Sequence, residues 1–137
     1  MSVPRYLFVY GTLRSESAHP MAHRLRTGAK FVGKANAPGL LYDLGAYPAA
    51  VFSTGAKRHV IGDVFELAPG DKLLAELDAY EGTDSLYART SLEVTLEDGR
   101  TIEAWTYGVR EAPNTKLILG GDFIVHWNQR NPRPVPS

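Results

Sequence analysis

The sequence predicts a single domain of mixed α and β structure, and three observations carry that expectation. Residues 6–10, Tyr-Leu-Phe-Val-Tyr, are aromatic or aliphatic throughout, the composition of a strand buried on both faces and therefore central. Residues 87–96 and 101–107 bracket Glu97-Asp98-Gly99-Arg100, and Asp-Gly between two strand-like runs signals a hairpin. Residues 71–81 space their leucines as an amphipathic helix does. The 137 residues suffice for one core without disulfide or metal staples, and neither an internal repeat nor a dividing linker is visible. The domain is expected over residues 1–130. Residues 131–137 hold three prolines and almost no apolar mass, so that tail is expected to be disordered.

Composition narrows the function. Fifteen basic and fifteen acidic side chains cancel, so no charge imbalance draws the chain to nucleic acid or an anionic membrane, and a small-molecule partner is expected. The chain contains no cysteine. That excludes structural disulfides, thiol nucleophiles and thiolate metal sites, and fits an intracellular protein. The N-terminus lacks the basic segment, apolar stretch and cleavage site of a leader, and no apolar run approaches membrane-spanning length. A soluble, cytoplasmic protein is the expectation.

Taken in order, the first strand ends at Gly11, where a missing side chain lets a ligand approach backbone N–H groups closely. Thr12 and Leu13 lead out of the sheet to Arg14, the first charge after Arg5. Exposed backbone donors beside an arginine make a cradle for a small anion such as a carboxylate; a buried strand running into an ordinary turn has the same sequence. Residues 15–28 hold a short helix with Pro20 early in it and Met21 and Leu25 on one face. His19 and His23, four apart, have metal-ligand spacing on a helix. No third ligand is evident elsewhere, and solvated histidines share that spacing, so no metal is expected.

A strand over residues 31–37 follows, then a turn at Pro38-Gly39 and a new strand from Leu40. Gly45 and Pro48 interrupt the pattern around Tyr47, as a ligand loop or a plain corner between strands would. Residues 60–67 form another strand. Val60, Gly62, Val64 and Glu66 share one face and Ile61, Asp63, Phe65 and Leu67 the other, and Gly62 leaves room for something bulky to pass. Leu92, Val94 and Leu96 alternate with Glu93 and Thr95, as in a half-exposed antiparallel strand. Asp122 is placed to cap a last helical segment through Phe123, Val125 and Trp127.

The helix over 71–81 has Asp71 as N-cap after Pro69-Gly70 and Gly82 as its terminator. At about 100° per residue, Leu73, Leu74, Leu77 and Tyr80 define an apolar sector roughly 120° wide. Glu81 falls inside it, and Asp78 lies at its edge. Desolvation and the negative end of the helix macrodipole both oppose ionisation of Glu81 and raise its pKa, which suits a carboxyl to acid/base work near neutrality. A glutamate exposed at a fraying helix end has the same spacing.

Together these residues resemble the gamma-glutamylcyclotransferase-like family. The resemblance rests on Tyr10-Gly11-Thr12-Leu13, Gly39-Leu40-Leu41-Tyr42 followed by Gly45-Ala46-Tyr47-Pro48, and Val60-Ile61-Gly62. It continues through Leu77-Asp78-Ala79-Tyr80-Glu81-Gly82 with Tyr87-Ala88-Arg89, then Ala104-Trp105-Thr106-Tyr107 and Gly120-Gly121-Asp122-Phe123, in the family's order. It implies an α+β fold, a single compact domain whose mixed barrel-like β-sheet has a few short helices packed outside and a pocket at the mouth formed by the Tyr10 turn. The implied reaction is a cyclisation. The α-amine of a gamma-glutamyl amine or gamma-glutamyl amino acid attacks its own γ-carbonyl, giving 5-oxoproline and a free amine.

The resemblance makes Glu81 the catalytic acid/base and gives substrate binding to Tyr10, Gly11, Thr12 and Leu13. Tyr47 and Tyr107 join as possible hydroxyl contacts, and Arg89 occupies a position where an ion pair or a substrate contact is equally at home. No protein nucleophile and no cofactor is needed, in keeping with a chain without cysteine. The alternative function is a non-catalytic module that binds a gamma-glutamyl or other small carboxylate metabolite, since fold and activity separate readily. Glu81 speaks against it, because carboxylate binding has no use for a nearby buried negative charge.

Overall fold

A computed structural model describes residues 5–10, 29–43, 48–53, 55–67, 88–109, 114–118 and 120–130. Among them lie strands β1 (Tyr6–Val9), β2 (Ala29–Asp43), β3 (Pro48–Phe52), β4 (His59–Leu67), β5 (Ala88–Leu96) and β6 (Thr101–Gly108), and helix α1 (Phe123–Arg130). The sheet order is β3-β2-β4-β1-β6-β5, and β2 also pairs with β5. That extra pairing closes β2, β4, β1, β6 and β5 into a five-stranded barrel, with β3 added on β2. β1 runs parallel to β6 and antiparallel to β4, so the barrel is mixed, as the resemblance implied. Of the expected helices only α1 lies among the described residues; residues 15–28, 71–81 and the tail 131–137 lie outside them.

The apolar run at β1 is central, as expected. Alternation along it divides the core. Phe8 and Tyr10 point into one buried cluster with Ala35, Ala37, Val64, Val94 and Ala104. Leu7 and Val9 point into a second, with Phe65 and Tyr107. Phe8, Leu7 and Phe65 are all but inaccessible, and burial of each stabilises the fold by about 1.5–3 kcal/mol. The bulky group that passes over Gly62 is the Phe8 ring: a Cβ there would lie 2.8 Å from two of its carbons and 2.3 Å from the Val9 carbonyl oxygen.

The turn expected at Pro38-Gly39 is not a turn. β2 runs unbroken for 15 residues and changes partner at this dipeptide. Pro38 is the last residue paired with β4, opposite His59, and Gly39 is the first paired with β3, opposite Phe52. Backbone bonds from Gly39 N to Arg58 O (3.0 Å) and from Ser53 N to Pro38 O (3.1 Å) hold both neighbours at the crossing. A Cβ at position 39 would meet the Val51 carbonyl oxygen at 2.7 Å. Close packing of strands, not reversal of the chain, is what requires glycine here.

The hairpin signal is borne out. Leu96 N bonds Arg100 O at 2.8 Å and Gly99 N bonds Leu96 O at 2.9 Å, with Gly99 at φ 93. This is the three-residue loop with glycine in the left-handed position. The Arg100 backbone N–H on Oδ1 of Asp98 and the Arg100 side chain on Oδ2 hold that carboxyl below its ordinary pKa. Leu96 and Val94 are buried and Glu93 exposed, as the alternation required.

Asp122 caps α1 as expected, its Oδ1 accepting from Val125 N at 3.2 Å. Phe123 and Ile124 are buried while Val125 is half exposed. His126 Nε2 and Asp43 Oδ2, 2.8 Å apart, tie this helix to the end of β2. No helix among the described residues is long and apolar enough to cross a membrane.

Candidate active site

The site is built where three strand ends converge. Tyr10, the residue after β1, turns its side chain into the barrel and is 6 % exposed. Its ring packs edge-on against Phe52 of β3 at 5.7 Å and tilted against Phe8 at 6.4 Å. Its hydroxyl donates to the backbone carbonyl of Tyr107 on β6 and accepts from Ala50 N of β3 at 3.3 Å. Val109 N returns a bond to Ala50 O at 2.9 Å, and Thr106 Oγ1 donates to Phe8 O at 2.9 Å. A phenol has one proton to donate, and here Tyr107 takes it. Tyr10 is therefore a cross-brace that fixes β1, β3 and β6 relative to one another immediately before Gly11-Thr12-Leu13.

The brace has a measurable weight. Tyr10→Phe keeps the ring packing but leaves the Tyr107 carbonyl and Ala50 N–H buried without this partner, which costs about 1–3 kcal/mol. At this chain length that corresponds to a fall in melting temperature of roughly 3–10 °C, read by thermal unfolding. An unchanged melting temperature rules out the bracing role.

Of the residues singled out for substrate binding, Tyr10 and Tyr107 are thus brought together, through the Tyr107 backbone. The Tyr107 ring itself faces the other cluster, beside Leu7, Val9 and Phe65. Glu81, Gly11, Thr12, Leu13 and Tyr47 lie outside the described residues, as do Arg14, His19 and His23. Arg89 pairs with Tyr107 in the β5–β6 ladder, so its backbone sits at the same end of the barrel. Among the described residues no group of three or more His, Asp or Glu side chains is arranged to hold a metal ion.

Two features escaped the sequence reading. Asp63, fully buried, stands opposite Val9 in the β1–β4 register, one step before the braced tyrosine. An acid inside the apolar run 60–67 was its only signal. The Asp43–His126 pair secures the chain just before residue 44, where the stretch read as a ligand loop or a plain corner between strands begins. Its partners are 83 residues apart, and no local pattern announces it.

The family model described as gamma-glutamyl cyclotransferase, AIG2-like, matches residues 7–127. The chain belongs to this family. It is 30 % identical over 118 residues to the gamma-glutamylaminecyclotransferase of Bos taurus, covering 78 % of this chain and 67 % of that one. The crystal structure of an AIG2-like protein from Mus musculus superposes with a TM-score of 0.75 at 23 % identity, over 99 % of this chain and 98 % of that one. YkqA from Bacillus subtilis gives 0.74 at 24 % identity over 96 % of this chain, which spans only 44 % of that protein. These two structural likenesses establish the fold.

Proposed function

We propose that this family member is a cyclotransferase that converts a gamma-glutamyl amine or gamma-glutamyl amino acid to 5-oxoproline and a free amine. The observation that supports it is the cross-brace of Tyr10, which holds rigid the strand end leading into Gly11-Thr12-Leu13. A rigid support matters because the reaction is intramolecular. Folding the glutamyl chain so that its amine meets its own γ-carbonyl is worth roughly 7–11 kcal/mol of barrier when the geometry is held in advance.

In this reading the backbone N–H groups of Gly11, Thr12 and Leu13 hold the α-carboxylate. The α-nitrogen lone pair forms the new C–N bond at the carbon of the γ-carbonyl, and the bond from that carbon to the leaving nitrogen breaks. The Glu81 carboxylate takes the proton lost by the attacking amine and returns it to the leaving nitrogen, so no proton is gained or lost overall. Tyr10, its proton committed to Tyr107, supports the turn and offers substrate at most a lone pair. Tyr47 remains as a hydroxyl contact, and Tyr107 serves through its backbone carbonyl as the acceptor of the brace.

The test is 5-oxoproline release from a panel of gamma-glutamyl amines and gamma-glutamyl amino acids. Turnover of one member supports the assignment, and the amine released identifies the substrate. A panel member that binds without turning over favours the binding module instead.

A further inference from the structure

The seam between β2 and β5 is incomplete, and the reason is chemical. Lys34 O accepts from Glu97 N at 3.1 Å, and Asn36 stands opposite Thr95. Antiparallel hydrogen-bonded pairs recur every second residue, so the next pair would be Pro38 with Glu93. Pro38 has no N–H to give, and its carbonyl is already taken by Ser53 N. The ladder stops there.

Beyond that point β5 bonds β6 alone among the described strands. Leu96 N bonds Arg100 O, which directs the peptide groups of the even-numbered residues of β5 to β6. Those of Ser91 and Glu93 consequently face away from β6. The same alternation on β3 turns the peptide groups of Phe52 away from β2, since Ser53 carries the bond to Pro38. Between these two strand edges lies an open cavity of about 480 Å³, lined by Pro38, Phe52, His59, Ser91, Leu92 and Glu93 among others. At ~3.3 Å rise, ~4.8 Å strand spacing and ~10 Å sheet depth, one strand residue fills roughly 160 Å³, so the cavity holds about three.

Charge indicates what enters. Glu93 on the rim stands directly opposite Glu103, and both are exposed. Glu93 and Glu103 form a non-hydrogen-bonded pair, the kind whose side chains lie closest, and like charges so placed repel. A cation brought beside Glu93 from the cleft offsets that repulsion. We infer that this cleft is a docking site for an extended basic peptide segment, which adds to the β5 edge through the Ser91 and Glu93 peptide groups and sets a lysine or arginine beside Glu93.

The probe is a fluorescein-labelled hexapeptide of alternating lysine and threonine, followed by fluorescence anisotropy with the whole chain. Saturable binding in the micromolar range is expected. Glu93→Lys is expected to weaken it more than tenfold. Ser91→Pro, which removes an N–H facing the cleft and none facing β6, has the same expected effect. The same peptide N-methylated at alternate residues tests the ladder without altering the protein, and binding more than tenfold weaker is expected. Absence of binding overturns the proposal. So does equal binding of the methylated peptide, which reduces the contact to charge attraction. Self-association of the chain in sedimentation velocity, abolished by Glu93→Lys with no peptide binding, assigns the edge to a second copy and equally overturns it.

Discussion

Glu81→Gln is expected to bind a reacting gamma-glutamyl substrate as the wild type does and to release 5-oxoproline at least about a hundredfold more slowly. Glutamine preserves size and hydrogen-bonding reach but cannot take a proton from the attacking amine. The penalty therefore falls on turnover and not on affinity. The uncatalysed cyclisation also gains from a held geometry, so a residual rate well above that in water is expected from the variant. The comparison separates the two halves of the proposal: positioning by the turn survives the substitution and proton transfer does not. Equal rates for the two proteins would remove Glu81 from the mechanism. A rise in KM alone would recast Glu81 as a binding group.

Strands β1, β4, β5 and β6 were legible because each is written locally, whereas β3, Pro48–Phe52, lies in the stretch read as an interruption. Residues 6–10 carry their burial in their composition, 92–96 alternate, and Asp98-Gly99 marks its own turn. What joins them is not local. The closure of β2 on β5 and the parallel pairing of β1 with β6 depend on registers between distant segments, and the barrel was expected only through the family resemblance. The Pro38-Gly39 reading failed because a proline followed by glycine signals reversal in isolation. Here the pair serves a strand that changes neighbours, proline ending one ladder and glycine admitting another strand closely.

The site divides in the same way. Motif positions such as Tyr10 and Tyr107 were visible through the resemblance. The brace between them spans 97 residues along the chain, and its bond to Ala50 spans 40. That distance explains why the bond from the Tyr10 hydroxyl to the Tyr107 carbonyl could not be read from the sequence. The Asp43–His126 contact went unread for the same reason.

Gly62→Ala is expected to be the most damaging small substitution in the barrel, lowering stability by about 3 kcal/mol and the melting temperature by roughly 10 °C. The added methyl would sit 2.3 Å from the Val9 carbonyl oxygen and 2.8 Å from the Phe8 ring, inside any tolerable contact. The ring cannot swing clear, since it is 1 % exposed and packed against Tyr10 and Phe52 at centroid distances of 6.4 and 6.3 Å. The backbone oxygen moves only if β1 moves, and β1 is bonded on both edges, to β4 and β6. Strain therefore passes along β1 to Tyr10 and its brace, so the folded fraction should also show reduced kcat/KM in the 5-oxoproline assay. Gly55→Ala supplies the comparison, because nothing lies within 4 Å of its added methyl, and a change within about 0.5 kcal/mol is expected there. Should Gly62→Ala melt within a degree of the wild type, the close approach of Phe8 to β4 is not what holds β1 in place, and the rigid support ascribed to the strand end before Gly11 loses its physical basis.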